Sequence, residues 1–385
     1  MSRRPDEWSY GPFEPGASPQ DRTVVLPPGG QPGQGRGGPG GPGYPGYSDY
    51  PGYEARLPPR PPPRPRRRWG RRFLALLFVL LLAVVGLAVV ADRRLDRVAA
   101  LPDYRGRPAA TPGTDWLIVG SDSREGLSAA EQKRLATGDV AGRRTDTIML
   151  LHIPKGGGQP VLISLPRDSY VPIPGHDRQK LNAAFAFGGP QLLARTVENV
   201  TGIRLDHYME IGFGGFAELV DAVGGVRICV DKAINDPKAG LNVKAGCQVM
   251  NSRKALGYVR TRATAQGDLD RVERQQQFVG ALIDKVSSPG TLLNPMRSVP
   301  LLLDGSSALT VGQNDHVHQL ASLGLAMRDI SRGDGVKGTV PIAGPQRVQG
   351  VGDVLLWDRT KALALFDALK NDRAAAGFVE QKPKI

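Results

Sequence analysis

The 385-residue chain holds two cysteines and five histidines, and aromatic residues make up only 6% of it. Each scarcity excludes something. The histidines are scattered. His316 and His318 stand closest and read as a solvated surface pair, so a zinc enzyme is not indicated. There is no G-x-S-x-G, no P-loop, no H-E-x-x-H and no G-x-G-x-x-G after a strand, so no familiar nucleophile or phosphate-cradle motif is present. Cys229 and Cys247 lie 18 residues apart without further soft ligands nearby. They read as a disulfide or as two buried thiols rather than as a metal site. No internal repeat is visible.

Residues 1–72 lack lysine altogether and are dominated by Gly, Pro, Tyr and Arg. Such a stretch cannot bury enough apolar surface to offset its ordering entropy, so it is expected to be a disordered tail, with polyproline character around Pro58 to Pro65. It carries 12 arginines against 6 acids, and so +6 of the formal net charge of +13. A basic excess is one footprint of nucleic-acid binding. Here the arginines cluster just before an apolar run, where they orient a membrane helix. That run is Phe73 to Val90, 18 residues without a polar side chain. At about 1.5 Å per residue it spans roughly 27 Å, the hydrocarbon core of a bilayer. It begins too far from the N-terminus and is too long for a cleaved signal. Seven arginines in the fifteen residues before it, against four in the fifteen after it alongside Asp92 and Asp96, place the N-terminus in the cytoplasm. The expected plan is a cytoplasmic tail (1–72), a transmembrane helix (73–91), a stalk (92–113), an extracytoplasmic domain (114–372) and a short tail (373–385). A folded part outside the cytoplasm excludes nucleic acid as its partner, and an oxidising compartment favours the disulfide.

In the folded part, Trp116 to Val119, Thr147 to Ile153, Val161 to Leu165, Tyr208 to Ile211 and Val226 to Val230 read as strands. Pro190 to Val200, with Gly202 past its end, Phe213 to Val223 and Asp268 to Val286 read as helices. Residues 290–372 carry two or three further helical stretches and a strand-like Gly338 to Pro341. Strands alternating with helices argue for an α/β layered domain.

Arginine and aspartate recur at the ends of these strands: Asp122 and Arg124, then Arg143, Arg144 and Asp146, then Arg167 and Asp168. Lys180 and Asn182 follow in a polar turn, and Arg260 and Arg262 follow Tyr258. Asp268, Arg271, Arg274 and Gln275 open the long helix. On a helix, Arg271, Arg274 and Gln275 share one arc of about 100°, beside an apolar stripe of Val272, Val279, Ile283 and Val286. They either face a site or pair on the surface with Asp270 and Glu273. Guanidinium forks match phosphate oxygens two at a time, so several of them together suggest an anion with more than one phosphate. Asp122 and Asp146 among those arginines would repel such an anion unless a cation stood between. Oxygen ligands without nearby Cys or His suit Mg²⁺. Charge neutralisation and positioning are what phosphoryl transfer needs.

Six segments in order, Leu117-Ile-Val-Gly-Ser-Asp-Ser-Arg124, Arg144-Thr-Asp-Thr-Ile-Met-Leu150, Ile163-Ser-Leu-Pro-Arg-Asp168, Lys180-Leu-Asn-Ala-Ala184, Tyr258-Val-Arg-Thr-Arg262 and Arg271-Val-Glu-Arg-Gln-Gln276, resemble the LytR-CpsA-Psr family over roughly Asp115 to Val286. The Cys229 to Cys247 segment and the Gly/Pro-rich tail resemble its actinobacterial members. The resemblance implies an α-β-α sandwich with a central mixed sheet and a greasy tunnel for lipid. It implies an enzyme that moves a glycan-phosphate from a polyprenyl-pyrophosphate carrier to peptidoglycan, building teichoic acid, capsule or arabinogalactan into the wall. It implies Mg²⁺ on Asp122 and Asp146. Asp122, Arg144, Arg167, Arg260 and Arg262 then act in catalysis, and Arg124, Lys180, Asn182, Arg271, Arg274 and Gln275 bind the donor. Met250-Asn-Ser-Arg253 departs from the family's Leu-Asp/Asn-Gly turn. Two other readings stay open: a pyrophosphatase with water as acceptor, and a non-catalytic wall-associated regulator. If a tunnel exists, the apolar segments Ala183 to Phe187, Leu192-Leu193, Ile211 to Phe216 and Leu219-Val220 are expected to line it.

Overall fold

The structure is a computed structural model that describes residues 69–123, 127–135, 145–261, 263 and 268–379. The apolar run forms the body of α1 (Trp69–Arg94), whose last turn carries Arg93 and Arg94 against the negative end of the helix dipole. Among the described residues α1 is the one helix long and apolar enough to cross a membrane, and its most apolar stretch buries nothing against the protein. This fits a single membrane pass.

The chain continues through β1 (Asp96–Val98), β2 (Thr114–Ser121), α2 (Ala129–Leu135), β3 (Thr145–Ile153), β4 (Val161–Ser164), β5 (Tyr170–Pro172) and β6 (Arg178–Lys180). Then come α3 (Leu181–Thr201), β7 (His207–Ile211), α4 (Phe213–Ala222), β8 (Val226–Val230), β9 (Ile234–Asp236), β10 (Leu241–Val243) and β11 (Gly246–Met250). α5 (Ser252–Arg260), α6 (Asp268–Val286), α7 (Pro289–Leu292) and α8 (Pro295–Ser307) precede β12 (Leu309–Gly312), α9 (Val317–Arg332), β13 (Val336–Thr339), β14 (Ile342–Val348), β15 (Gly352–Trp357) and α10 (Arg359–Lys370).

Seven strands form one mixed sheet in the order β1-β12-β7-β2-β3-β4-β13. Alternation along β2 and β3 sends Leu117, Val119, Ile148 and Leu150 into a core closed by α3 and α10. Trp116, Ile118, Met149 and Leu151 go into a second core closed by α6 and α9. Both faces are covered, which is why these strands read as unbroken apolar runs. The result is the expected α-β-α sandwich. A third core lies under the β8–β11 hairpin and takes Phe278 and Leu282 from α6. α6 is thus held between two cores: Phe278 and Leu282 enter one, Val279 and Ile283 the other. That clamps its rotation, and with it the direction of Arg271, Arg274 and Gln275 one to two turns earlier.

The structure departs from the sequence reading in four places. The segment expected to be a stalk contributes β1, an edge strand paired in parallel with β12, and buries Ala100. Three residues flanked by charge carry too little alternation to be read as a strand. α3 starts at Leu181, not Pro190, because the chain kinks at Gly188 and Gly189 and then resumes the helix. The region 290–372 holds four helices and four strands rather than two or three helices and one strand. Of the tail expected over 373–385, Ala375 is buried in the core beside α10. The departure at Met250 to Arg253 is accommodated by Asn251, whose side chain caps α5 by accepting from the Lys254 amide. Cys229 and Cys247 face each other across β8 and β11 and are joined in a disulfide, with Cα atoms 3.8 Å apart. Gln277 of α6 donates to the Cys229 carbonyl at 3.0 Å, so the bridged hairpin braces that helix.

Candidate active site

The C-terminal ends of β2 and β4 and the start of β3 meet at one end of the sheet. The register shifts between Gly120 and Ser121, so Ser121 pairs with Thr145, and Asp122 follows the last paired residue of β2 at the end where β3 begins with Thr145 and Asp146. Leu165 still bonds the Ile148 carbonyl, and Pro166 then turns the chain so that Arg167 returns to β3. Strand ends leave backbone and side chains accessible, and α/β sheets assemble sites there.

On the α3 side of the sheet these residues form a chain of charge. Arg167 Nη1 donates to Asp146 Oδ1 at 2.5 Å, and Arg167 Nε donates to Asp168 Oδ2 at 3.2 Å. Lys180 Nζ donates to the other Asp168 oxygen at 2.9 Å. Burial opposes the Asp168 charge, but the Lys180 hydrogen bond and the two cations outweigh it and hold the carboxyl below its usual range. The Asn182 amide donates to the Arg167 carbonyl at 3.0 Å, which fixes the start of α3 against the turn.

On the α6 side, Thr147 Oγ1 donates to Gln275 Oε1 at 3.1 Å, and Gln275 Nε2 donates to the Val259 carbonyl at 3.2 Å. Gly120 makes room: a Cβ there would lie 3.1 Å from that of Thr147. Arg271 and Arg274 are 5% and 7% exposed. They are buried along the same stripe as Phe278 and Leu282 rather than spread over the solvated face. Arg274 Nη2 donates to the Thr261 carbonyl at 2.6 Å.

The structure therefore brings together Asp146, Arg167, Lys180 and Asn182 on one face of the sheet end and ties Gln275 to Thr147 on the other; Asp122 follows the end of β2, and Arg271 and Arg274 precede Gln275 on α6. Arg260 ends α5 with its guanidinium over the Phe213 ring at 5.1 Å and on the carbonyls of Leu256, Leu135 and Ala239. Arg124, Arg144 and Arg262 lie outside the described residues. Asp168 and Thr147 were missed as site residues. Asp168 stood in the quoted motif beside Arg167. Thr147 was hidden inside a strand, and only its alternation with Met149 and Leu151 puts it on the α6 face.

Asp146 keeps 36% of its side chain exposed and gives one oxygen to Arg167. Among the described residues no group of three or more His, Cys, Asp and Glu gathers to cage a cation. The exposed Asp146 carboxylate is of the kind Mg²⁺ accepts, since that ion takes one or two protein carboxylates and keeps water or phosphate in its other positions.

A small apolar cavity of about 30 Å³, room for one water, lies on the α6 side. It is lined by Met149 of β3, Leu162 and Ser164 of β4, Gln276, Val279 and Ile283 of α6, and residues of α9 and β13. The segments expected to line a tunnel are elsewhere: Ala184, Phe185 and Leu193 fill the core under α3, and Val220 fills the third core. Apolar composition marked buried chain, and burial alone does not separate a packed core from a cavity wall. The cavity and the polar cluster share two elements. β3 gives Asp146 and Thr147 to one and Met149 to the other, and α6 gives Gln275 to one and Gln276 to the other.

A charged, half-exposed strand end thus lies beside a small apolar cavity in a layered α/β domain. The sequence model of the LytR_cpsA_psr family matches residues 103–363, and the chain belongs to that family. It is 53% identical over 293 residues to the "Probable cell wall biosynthesis protein LcpB" of Corynebacterium glutamicum, covering 74% of this chain and 69% of that one. It is 32% identical over 322 residues to the cell wall biosynthesis protein LcpA of the same organism, covering 74% and 61%. The polyisoprenyl-teichoic acid–peptidoglycan teichoic acid transferase TagU of Enterococcus faecalis is 38% identical over 159 residues, 41% of this chain and 52% of TagU. A solved LytR-Csp2A-Psr enzyme from Actinomyces oris shares the fold, with a TM-score of 0.56 at 22% identity over 72% of this chain and 96% of that one.

Proposed function

We propose that this chain is a magnesium-dependent phosphotransferase that moves a glycan-phosphate from a polyprenyl-pyrophosphate carrier to a hydroxyl of peptidoglycan, on the outer side of the membrane that α1 crosses. The observation that carries this reading is the sharing of β3 and α6 between the charged cluster and the apolar cavity. A prenyl-pyrophosphate needs both environments within one molecular length. The name of TagU, a polyisoprenyl-teichoic acid–peptidoglycan transferase, supports the same donor and acceptor classes.

Arg167, Arg271 and Arg274 bind the pyrophosphate oxygens, and Lys180 holds Asp168 against Arg167 so that the guanidinium keeps its direction. Gln275, fixed between Thr147 and Val259, positions the head group at the mouth of the cavity. The acceptor oxygen forms a bond to the phosphorus next to the sugar, its O–H proton passes to water, and the bond from that phosphorus to the bridging oxygen breaks, releasing polyprenyl phosphate. The arginines meet the charge that develops on the leaving phosphate in a site partly shielded from water, where such contacts count most. Asp122 and Asp146 would hold Mg²⁺, which supplies neutralisation of phosphate charge when bound. The prenyl chain would enter by opening the small apolar cavity between α6, α9 and the sheet, and each methylene buried there contributes about 0.8 kcal/mol.

The test uses the full chain in lipid nanodiscs with synthetic donors of graded prenyl length, a labelled glycan and purified peptidoglycan. Label should reach peptidoglycan with Mg²⁺ and stop with EDTA, and binding should tighten steeply with chain length. Equal release of label without peptidoglycan would make the chain a pyrophosphatase. Binding independent of chain length would remove the lipid role of the cavity.

A further inference from the structure

Outside α1, eight large apolar side chains are exposed among the described residues. Five of them stand alone. The other three, Leu292, Leu293 and Met296, fall within five residues at the corner between α7 and α8 and are 53%, 82% and 83% exposed. A single exposed leucine needs no explanation, whereas a cluster of this kind marks a contact surface.

The topology says where that corner points. α1 runs directly into β1, and α8 runs directly into β12. β1 and β12 are parallel neighbours with Asp96 opposite Thr310. α1 and α8 pack on each other, and Arg94 reaches Asp304 at 3.8 Å. Two packed helices that enter adjacent parallel strands at the same end point the same way. The N-terminal end of α8 therefore points back along α1 toward its membrane-spanning body. Met296 lies eight residues before Asp304, about 12 Å back along the axis, and Val90 lies four residues before Arg94, about 6 Å back. Met296 is thus about 6 Å below the level at which the apolar run ends. In keeping with this, burial of α1 against the protein begins at Leu87, inside the apolar run.

We infer that the α7–α8 corner is a membrane-seating wedge: Leu292, Leu293 and Met296 enter the lipid surface beside the anchor. The occupant is the bilayer that holds α1, and the inference rests on the reading of α1 as a membrane span. A depth of about 5–10 Å is where interfacial segments bury apolar side chains. Arg297, next to Met296 and exposed, is in place to meet lipid phosphate. A wedge next to the anchor fixes the tilt of the domain over the membrane, which a single helix and a strand junction leave free. It also holds the site at a constant height over a donor embedded in the same lipid.

The test is spin-label depth measurement on the full chain in nanodiscs, with Cys229 and Cys247 oxidised. Single labels are placed at Met296→Cys, Leu293→Cys, Val79→Cys in α1 and Leu363→Cys on α10. The Val79 label should be open to oxygen and closed to a water-soluble nickel chelate. Labels at 293 and 296 should show an oxygen-to-nickel accessibility ratio several-fold above that at 363. A lipid-like Val79 with water-like 293 and 296 overturns the wedge and leaves the anchor standing. A water-like Val79 removes the membrane reading of α1 itself, and the wedge with it.

Discussion

The two ends of the central sheet are built from the same strands and the same residue types, yet they differ in what their charges can reach. At the site end, Asp146 is 36% exposed and linked through Arg167 and Asp168 to Lys180 in an open chain. At the opposite end, Asp115 is 1% exposed and faces His152 at 2.9 Å, and Asp372 faces the other ring nitrogen at 2.9 Å. A ring with a carboxylate on each nitrogen is fully satisfied only as the imidazolium. Asp372 takes a left-handed backbone conformation to reach it and also caps the Lys155 amide. One end keeps its charges within reach of a ligand; the other spends them on tying β2, β3 and the segment after α10 together. The same chemistry serves binding or locking according to burial.

The largest effect that would break this contrast is at the open end. Arg167→Ala should slow transfer by about 10²–10³-fold, the usual consequence of removing one preorganised charge-stabilising donor, while the denaturant midpoint moves little. Equal turnover in this variant would mean that the open chain is only a surface network.

At the closed end the expectation is reversed. His152→Gln should cost about 3–5 kcal/mol of stability, because the buried Asp115 and the part-buried Asp372 lose their cation, with turnover of the folded fraction unchanged. The pH dependence follows from direction. Burial opposes the His152 charge, but contact with Asp115 and Asp372 outweighs it and raises its pKa above 6.5. Burial also pushes the Asp115 carboxyl up. Both groups hold protons more tightly when folded, so their contribution is full below the unfolded values and is lost as pH rises through the raised ones. Thermal melts from pH 6 to 9 should show that loss in the native chain and a flatter profile in His152→Gln.

Reduction of the Cys229–Cys247 bridge should cost about 3 kcal/mol, as expected for a loop of this size. Because Gln277 ties the bridged hairpin to α6, the loss should loosen the donor-binding side before it touches the Asp146 cluster. Amide exchange along α6 measures this against exchange in β3. The smallest effect is at Thr147→Val, which removes one hydrogen bond to Gln275, about 1 kcal/mol, and should raise KM several-fold while lowering the melting temperature by only about 2–4 °C.

The contrast between the ends also separates what the sequence could and could not say. β2, β3, β7, β8 and α6 were legible because apolar runs with Gly and Pro stops are local signals. The open end was legible for the same reason: Asp122, Asp146 and Arg167 each follow or begin a strand, and the family's segments are short. The closed end was not, since Asp115, His152 and Asp372 are spread over more than two hundred residues and share no local pattern. α3 was cut short at Pro190 because Gly188-Gly189-Pro190 reads as a break, whereas tertiary packing of Leu181, Ala184 and Phe185 carries the helix through a kink. The small cavity could not be read from the sequence because its walls come from β3, β4, α6, α9 and β13, a combination that only the fold assembles.

The most direct test of the central claim is the initial rate of glycan-phosphate transfer to peptidoglycan by Asp146→Asn at saturating Mg²⁺, measured with the full chain in nanodiscs and set beside its denaturant midpoint. The account predicts a rate lower by at least about 10²-fold at an unchanged midpoint, because Asp146 both directs Arg167 and offers an oxygen to the cation. A wild-type rate in this variant would contradict it, and would move the chemistry away from this end of the sheet.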